Sequence, residues 1–161
     1  MPSLEAALAE AEASAGETDA GVRRLDDALA ELERTEHRWY EAEMHRIRGE
    51  ILLKRDPANT AAAEQSLQAA LAIAQSQKAR SFELRAALSL AKLYRAADRD
   101  ADAHAVLAPA VESFPPTQQF PELTEAQALL LALNPEIDCL RRVNHTLGGV
   151  CLSASEPIPP E

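Results

Sequence analysis

His37, Glu41 and His45 stand at i, i+4 and i+8, one face of a helix. Two imidazoles and a carboxylate so placed can hold a divalent cation when a fourth ligand completes the shell. No fourth ligand is evident and no HExxH spacing occurs, so the expectation is a solvated face on which Glu41 pairs with His37, Arg38 and His45. Cys139 and His145 lie six residues apart near the C-terminus. A thiol becomes a nucleophile when neighbouring charge lowers its pKa, and nothing in that segment does so. The five glycines never form the GxxxxGK loop that cradles phosphates. No Ser/His/Asp set can be assembled either. The chain reads as a non-enzyme with no cofactor and no metal.

Composition narrows the remaining roles. A chain of 161 residues is enough for one domain, and 47 % apolar residues can build a core. Aromatics are only 4 %, and alanine is about one residue in five. Such a core has little bulk per residue, so its backbones must approach closely. Alanine is the best helix former and is depleted in strands, which points to an all-α fold. Twenty-six acidic residues against 16 basic give a net charge of −10, so phosphate backbones are repelled and nucleic acid is not an expected partner. Residues 1–36 hold much of that charge, a net of −7. The longest apolar runs, such as ALLLAL at 128–133, are far short of the ~20 residues a spanning helix needs, so no membrane partner is expected. The start, MPSLEAALAEAEASAGE, has neither a basic nor an apolar leader segment. Cys139 and Cys151 are too few for a disulfide framework and form no CxxC. These features fit a soluble cytoplasmic protein with reduced thiols.

Apolar spacing predicts seven helices, at about 3–14, 18–34, 37–54, 60–77, 80–97, 100–114 and 121–133. Gly16, Asp56-Pro57, Pro115-Pro116 and Asn134-Pro135 punctuate them. Pro109 should kink or shorten the sixth. Residues 1–134 form the helical domain. Residues 135–161, with a short helix over about 136–147 and then EPIPPE, read as a partly disordered tail.

The chain repeats itself. A shift of 42 aligns residues 25–53 with 67–95 without a gap, setting Leu25 on Leu67, Tyr40 on Phe82 and Gly49 on Ala91. A shift of 40 carries Leu67 to Leu107 and Ala70 to Ala110. The unit is therefore a helix pair of about 41 residues: 3–34, 37–77 and 80–114, followed by a single helix at 121–133. The small residues mark where helices touch, and the leucines fill the space beside them. One pair cannot bury its apolar face alone, so pairs must stack. Trp39 either anchors a ligand or packs between units, and the repeated Tyr40/Phe82 site beside it favours packing.

The order small, large, small, large, small, carried by Ala91, Tyr94, Ala103, Leu107 and Ala110 and by Gly49, Leu52, Ala63, Leu67 and Ala70, resembles a tetratricopeptide repeat. The first unit keeps Ala9, Gly21, Leu25 and Ala28 but has Glu12 where a large apolar residue belongs. The segments ERTEHRWYEAEMHRIRGEILL, SFELRAALSLAKLYR and ADAHAVLAPAVESF are also similar to the C-terminal repeat region of large bacterial predicted signalling ATPases. Those are often fused to adenylyl/guanylyl cyclase or transcription-regulator domains. The resemblance implies a right-handed solenoid of three long tetratricopeptide-like helix pairs, with 121–133 as a capping helix.

It also implies a concave groove lined by the first helix of each pair. The groove positions fall on Glu43, Arg46, Glu50 and Lys54 in the second unit and on Arg85, Leu88, Lys92 and Arg95 in the third. In the first unit they fall on Ser3, Ala6, Glu10 and Ala13. Five of the eight in the second and third units are basic, on an acidic chain. Such a groove would attract an acidic peptide or protein segment. The bland alternative is helix faces neutralised by Glu43–Arg46 and Glu50–Lys54 pairs. The expected role is an adaptor that binds a protein segment. The alternatives are an effector-sensing region of a signalling ATPase, cyclase or transcription regulator, and a homo-oligomer formed through exposed unit ends.

Overall fold

A computed structural model describes residues 2–35, 38–115 and 117–133, and they are all-α. Seven α-helices follow one another among the described residues: α1 (Pro2–Ser14), α2 (Thr18–Thr35), α3 (Glu41–Arg55), α4 (Thr60–Ser76), α5 (Arg80–Ala96), α6 (Asp100–Glu112) and α7 (Pro121–Leu133). The expected tail at 135–161, its helix over 136–147, and His37, Cys139, His145 and Cys151 lie outside the described residues.

Two boundaries differ from the sequence reading. A 3₁₀ turn over Arg38–Tyr40 precedes α3, a common way to start a helix, so α3 proper begins at Glu41. Pro109 has no N–H for the Ala105 carbonyl and lies in the last turn of α6, which stops at Glu112 instead of Phe114.

Three of the turns close alike. The N–H of Glu17, Ala79 and Arg99 reaches back five residues, to the carbonyls of Glu12, Ala74 and Tyr94, at 2.8–2.9 Å. Each follows a residue in the left-handed region: Gly16 at φ 93°, Lys78 at 55° and Asp98 at 56°. Only the first uses glycine; the other two accept the crowding of a Cβ to close the same turn.

Consecutive helices pack on each other. Each odd helix also touches the next odd helix, α1 on α3, α3 on α5 and α5 on α7. No substantial contact joins α2 to α4, α4 to α6, or the first helix pair to α6 or α7 among the described residues. The odd helices thus form one layer and the even helices lie behind it.

The packing explains the repeated residues. Leu25, Leu67 and Leu107 are fully buried, as are Ala63, Ala70, Ala91 and Ala103. A methyl group added at Gly49 would stand 2.7 Å from Leu67 Cγ and 3.2 Å from the Ala63 carbonyl oxygen, so α3 and α4 meet where a side chain is missing. At Gly21 the added carbon would stand 2.8 Å from the Ala9 carbonyl oxygen, and α1 meets α2 in the same way. Two apolar clusters result, one over α1–α3 and the start of α4, the other over α4–α7, and Leu53 packs against both.

Where apolar bulk is missing, ion pairs fasten the pairs. Glu12, the exception in the first unit, accepts from Arg24 Nε at 3.1 Å, and Arg24 Nη1 donates to Glu5 at 3.1 Å. The Arg24 hydrogen bond holds the Glu12 carboxyl below the usual carboxylate range. Arg48 and Arg55 of α3 reach Asp26 and Asp19 of α2. At the α5–α6 turn, the Arg99 guanidinium lies 4.1 Å over the Tyr94 ring and donates to Glu64 of α4 at 3.1 Å.

His45 is half-buried in α3, and burial holds its imidazole below the usual pKa, against the pull of Glu41, Asp26 and Glu33; Arg48 adds to the lowering. The unfolded chain therefore binds a proton near pH 6.5 that the folded chain resists, so stability falls as pH drops below about 6.5. We expect the melting temperature to fall between about pH 7.5 and 5.5, and the fall to be smaller in His45→Gln. Thermal scans at both pH values check this; equal slopes in the two proteins would refute it.

Candidate binding face on the odd helices

The eight expected groove residues all lie on α3 and α5, but they do not form one exposed basic strip. Glu43 is 1 % exposed and Leu88 5 %, so both belong to the interior. Arg46 is buried as well. Its Nε and Nη2 donate to the two Glu43 oxygens at 3.0 and 2.7 Å, and its Nη1 donates to Glu50 at 2.6 Å. Burial works against the charge on Arg46, yet the hydrogen bonds and charges of Glu43 and Glu50 outweigh it, and its pKa lies above the ordinary arginine value.

Arg85 of α5 reaches back to Glu43 at 2.8 Å. Glu43 therefore serves two guanidinium groups, one from each helix, and ties α3 to α5. Ser89 Oγ adds a hydrogen bond to Glu50 at 2.6 Å across the same seam. The pairing Glu50–Lys54 is not formed, because Glu50 turns back to Arg46 and Ser89.

Carboxylates from the end helices complete the network. Glu10 of α1 stands 3.8 Å from Arg46, Glu122 of α7 stands 3.9 Å from Arg85, and Glu125 of α7 pairs with Lys92 at 2.7 Å. Helix spacing could not pair residues more than thirty positions apart on different helices, and the charge count on α3 and α5 alone overstates the positive field. Glu12 does carry a signal, a charge where the repeat has a large apolar residue, while its partner Arg24 carries none.

Of the eight, two cations keep their charge free. Lys54 and Arg95 occupy the last turns of α3 and α5, are exposed, and make no ion pair with a described residue. Each borders a shallow depression between neighbouring odd helices. The first, about 380 Å³, lies between α1 and α3 and is lined by Glu10, Ser14, Ile47, Glu50 and Lys54. The second, about 570 Å³, lies between α5 and α7 and is lined by Lys92, Arg95, Glu125, Ala128 and Leu129. Comparison with protein-family models, curated proteins and solved structures yields no match.

In the expected metal trio, Glu41 and His45 are described and His37 is not; no group of three or more His, Cys, Asp or Glu placed to hold a metal occurs among the described residues. No described helix is long and apolar enough to cross a membrane. Trp39 departs from the expected packing between units: the 3₁₀ turn carries its indole out to 58 % exposure, while Tyr40 takes the edge-on contact with Phe82 at 5.7 Å.

Proposed function

We propose that the chain is a non-enzymatic interaction module, a tetratricopeptide-like right-handed solenoid of three helix pairs closed by α7. It binds an acidic protein segment along the odd-helix face. Three supports bear on the architecture: the repeat of about 41 residues, the odd-on-odd packing, and the small residues at each helix meeting. For the binding role, the observation that carries the reading is the recurrence of a free cation in the last turn of the first helix of successive units, one position apart in the repeat. Lys54 and Arg95 each stand at the rim of a depression between odd helices.

Arg46 and Arg85 hold the face together and do not recruit, since their charges are spent on Glu43. Removing them would test the fold. The binding test is Lys54→Glu with Arg95→Glu, both exposed and free. With a fluorescein-labelled twelve-residue peptide rich in Asp and Glu, we expect salt-sensitive binding that weakens about tenfold in the double variant. Equal affinity for the two proteins, or no binding by either, would refute the reading.

A further inference from the structure

We infer that the edge around Trp39 is a second docking surface, built for an acidic segment that carries an aliphatic or aromatic side chain. It is separate from the odd-helix depressions and does not rest on them.

Trp39 is the chain's one tryptophan, and among the described residues it is the second most exposed large apolar side chain, after Leu131. Its indole rests edge-on against Tyr40 at 5.1 Å, and Tyr40 rests edge-on against Phe82 of α5. The ring is thus fixed from below and open above. Its N–H meets no acceptor among the described residues. Tryptophan held in this way, apolar on one side and a donor at its rim, is a residue on which binding energy concentrates once a partner excludes water.

The surroundings choose the partner. Gln77 Nε2 donates to the Arg38 carbonyl at 2.7 Å and pins the α4–α5 turn beside the indole. That turn, set by the left-handed Lys78, presents Lys78 and Arg80 to solvent. Neither makes an ion pair with a described residue, and Arg80 is held by a hydrogen bond to the Ser113 carbonyl at 3.3 Å. Arg38 comes no closer than 4.0 Å to Glu41. Five described lysines and arginines pair with no described carboxylate: Arg23, Lys54, Lys78, Arg80 and Arg95. Lys78 sits in this turn and Arg80 opens α5 directly after it, on a chain of net charge −10. The nearby carboxylates, Glu41 and Glu83, are partly buried, and Glu83 accepts from Gln75. What faces water is an aromatic plate with Arg38 next to it in the chain and Lys78 on the turn that Gln77 holds to the Arg38 carbonyl, while Arg80 is held at Ser113 just past α6. Its complement is an apolar side chain flanked by carboxylates. Because the turn and the rings are already in place, little ordering is left for binding to demand.

The lone tryptophan reports on its own site. The probe is a tryptophan-free peptide of ten Asp and Glu residues around a central Leu-Leu. On titration, Trp39 emission should shift to the blue and acrylamide quenching should fall. By peptide anisotropy, with Lys54→Glu and Arg95→Glu already in place to silence the odd-helix face, Trp39→Ala should weaken binding about thirtyfold and Lys78→Glu with Arg80→Glu about tenfold. Circular dichroism should be unchanged, as the side chains are exposed. Lys54→Glu with Arg95→Glu should leave the emission shift intact, which separates this surface from the odd-helix face. An emission that stays put to about millimolar peptide overturns the inference, as does equal affinity in Trp39→Ala. A shift caused by phosphatidylserine vesicles and not by peptide, or by raising the protein concentration alone, overturns it in favour of a membrane surface or a second copy.

Discussion

Replacing Glu43 with alanine should lower the unfolding free energy by about 3–5 kcal/mol, the largest effect expected from a single polar residue in this chain. Its carboxylate is 1 % exposed and receives Arg46 from its own helix and Arg85 from α5. Truncation would leave the Arg46 guanidinium, 8 % exposed, with only Glu50 and the distant Glu10 to balance it. Uncompensated buried charge is what makes a broken pair costly, more than the pair itself stabilises. A second variant separates these two quantities. Glu43→Leu with Arg46→Met removes both charges and keeps apolar volume, so it should recover most of the loss. Urea unfolding of the three proteins checks the claim. A loss under about 1 kcal/mol in Glu43→Ala would mean that the carboxylate reaches water and that α3 and α5 are not tied there.

Glu43 also marks the limit of what the linear chain discloses. Its i, i+3 partner Arg46 is legible from spacing, since residues three apart share a helix face. Its burial is not, because that depends on α5 arriving alongside with Arg85. The repeat was legible for a different reason. Close helix contacts demand small residues at fixed intervals, so Gly49, Ala63, Ala70 and Ala91 carry the contact pattern in their types. The charged face carries no such constraint: Glu122 and Glu125 find Arg85 and Lys92 only when α7 packs on α5. The spacing places Trp39 on the same helix as Tyr40, which obeys the repeat, and so points both rings between units. In the 3₁₀ turn the two rings touch edge-on, Tyr40 is partly buried against Phe82, and Trp39 stays exposed.

The second large effect lies at the meeting of α3 and α4, where Gly49 and Leu67 share one space. Gly49→Ala alone would set a methyl 2.7 Å from Leu67 Cγ and 2.9 Å from one of its Cδ atoms. The leucine is fully buried and the Ala63 carbonyl stands behind the glycine, so neither side yields freely. Overpacking of this kind costs about 1–3 kcal/mol, more than alanine's better helix propensity returns. Leu67→Ala alone opens a cavity and should cost about 2–5 kcal/mol. Together the two changes should cost less than their sum, because the new methyl enters the room the leucine leaves. A coupling of about 1 kcal/mol or more in chemical denaturation supports the contact. Strict additivity would mean that the residues do not touch, and the recurrence of small residues through the chain would then lose its physical basis. Ala91, at the equivalent place on α5, gives the internal control. There a methyl is already accommodated between α5 and α6, with Leu107 in the role of Leu67, so the α5–α6 pair must be set apart by enough to admit a Cβ. Ala91→Gly should therefore loosen the packing and cost about 1 kcal/mol through lost helix propensity, where Gly49→Ala costs stability by crowding.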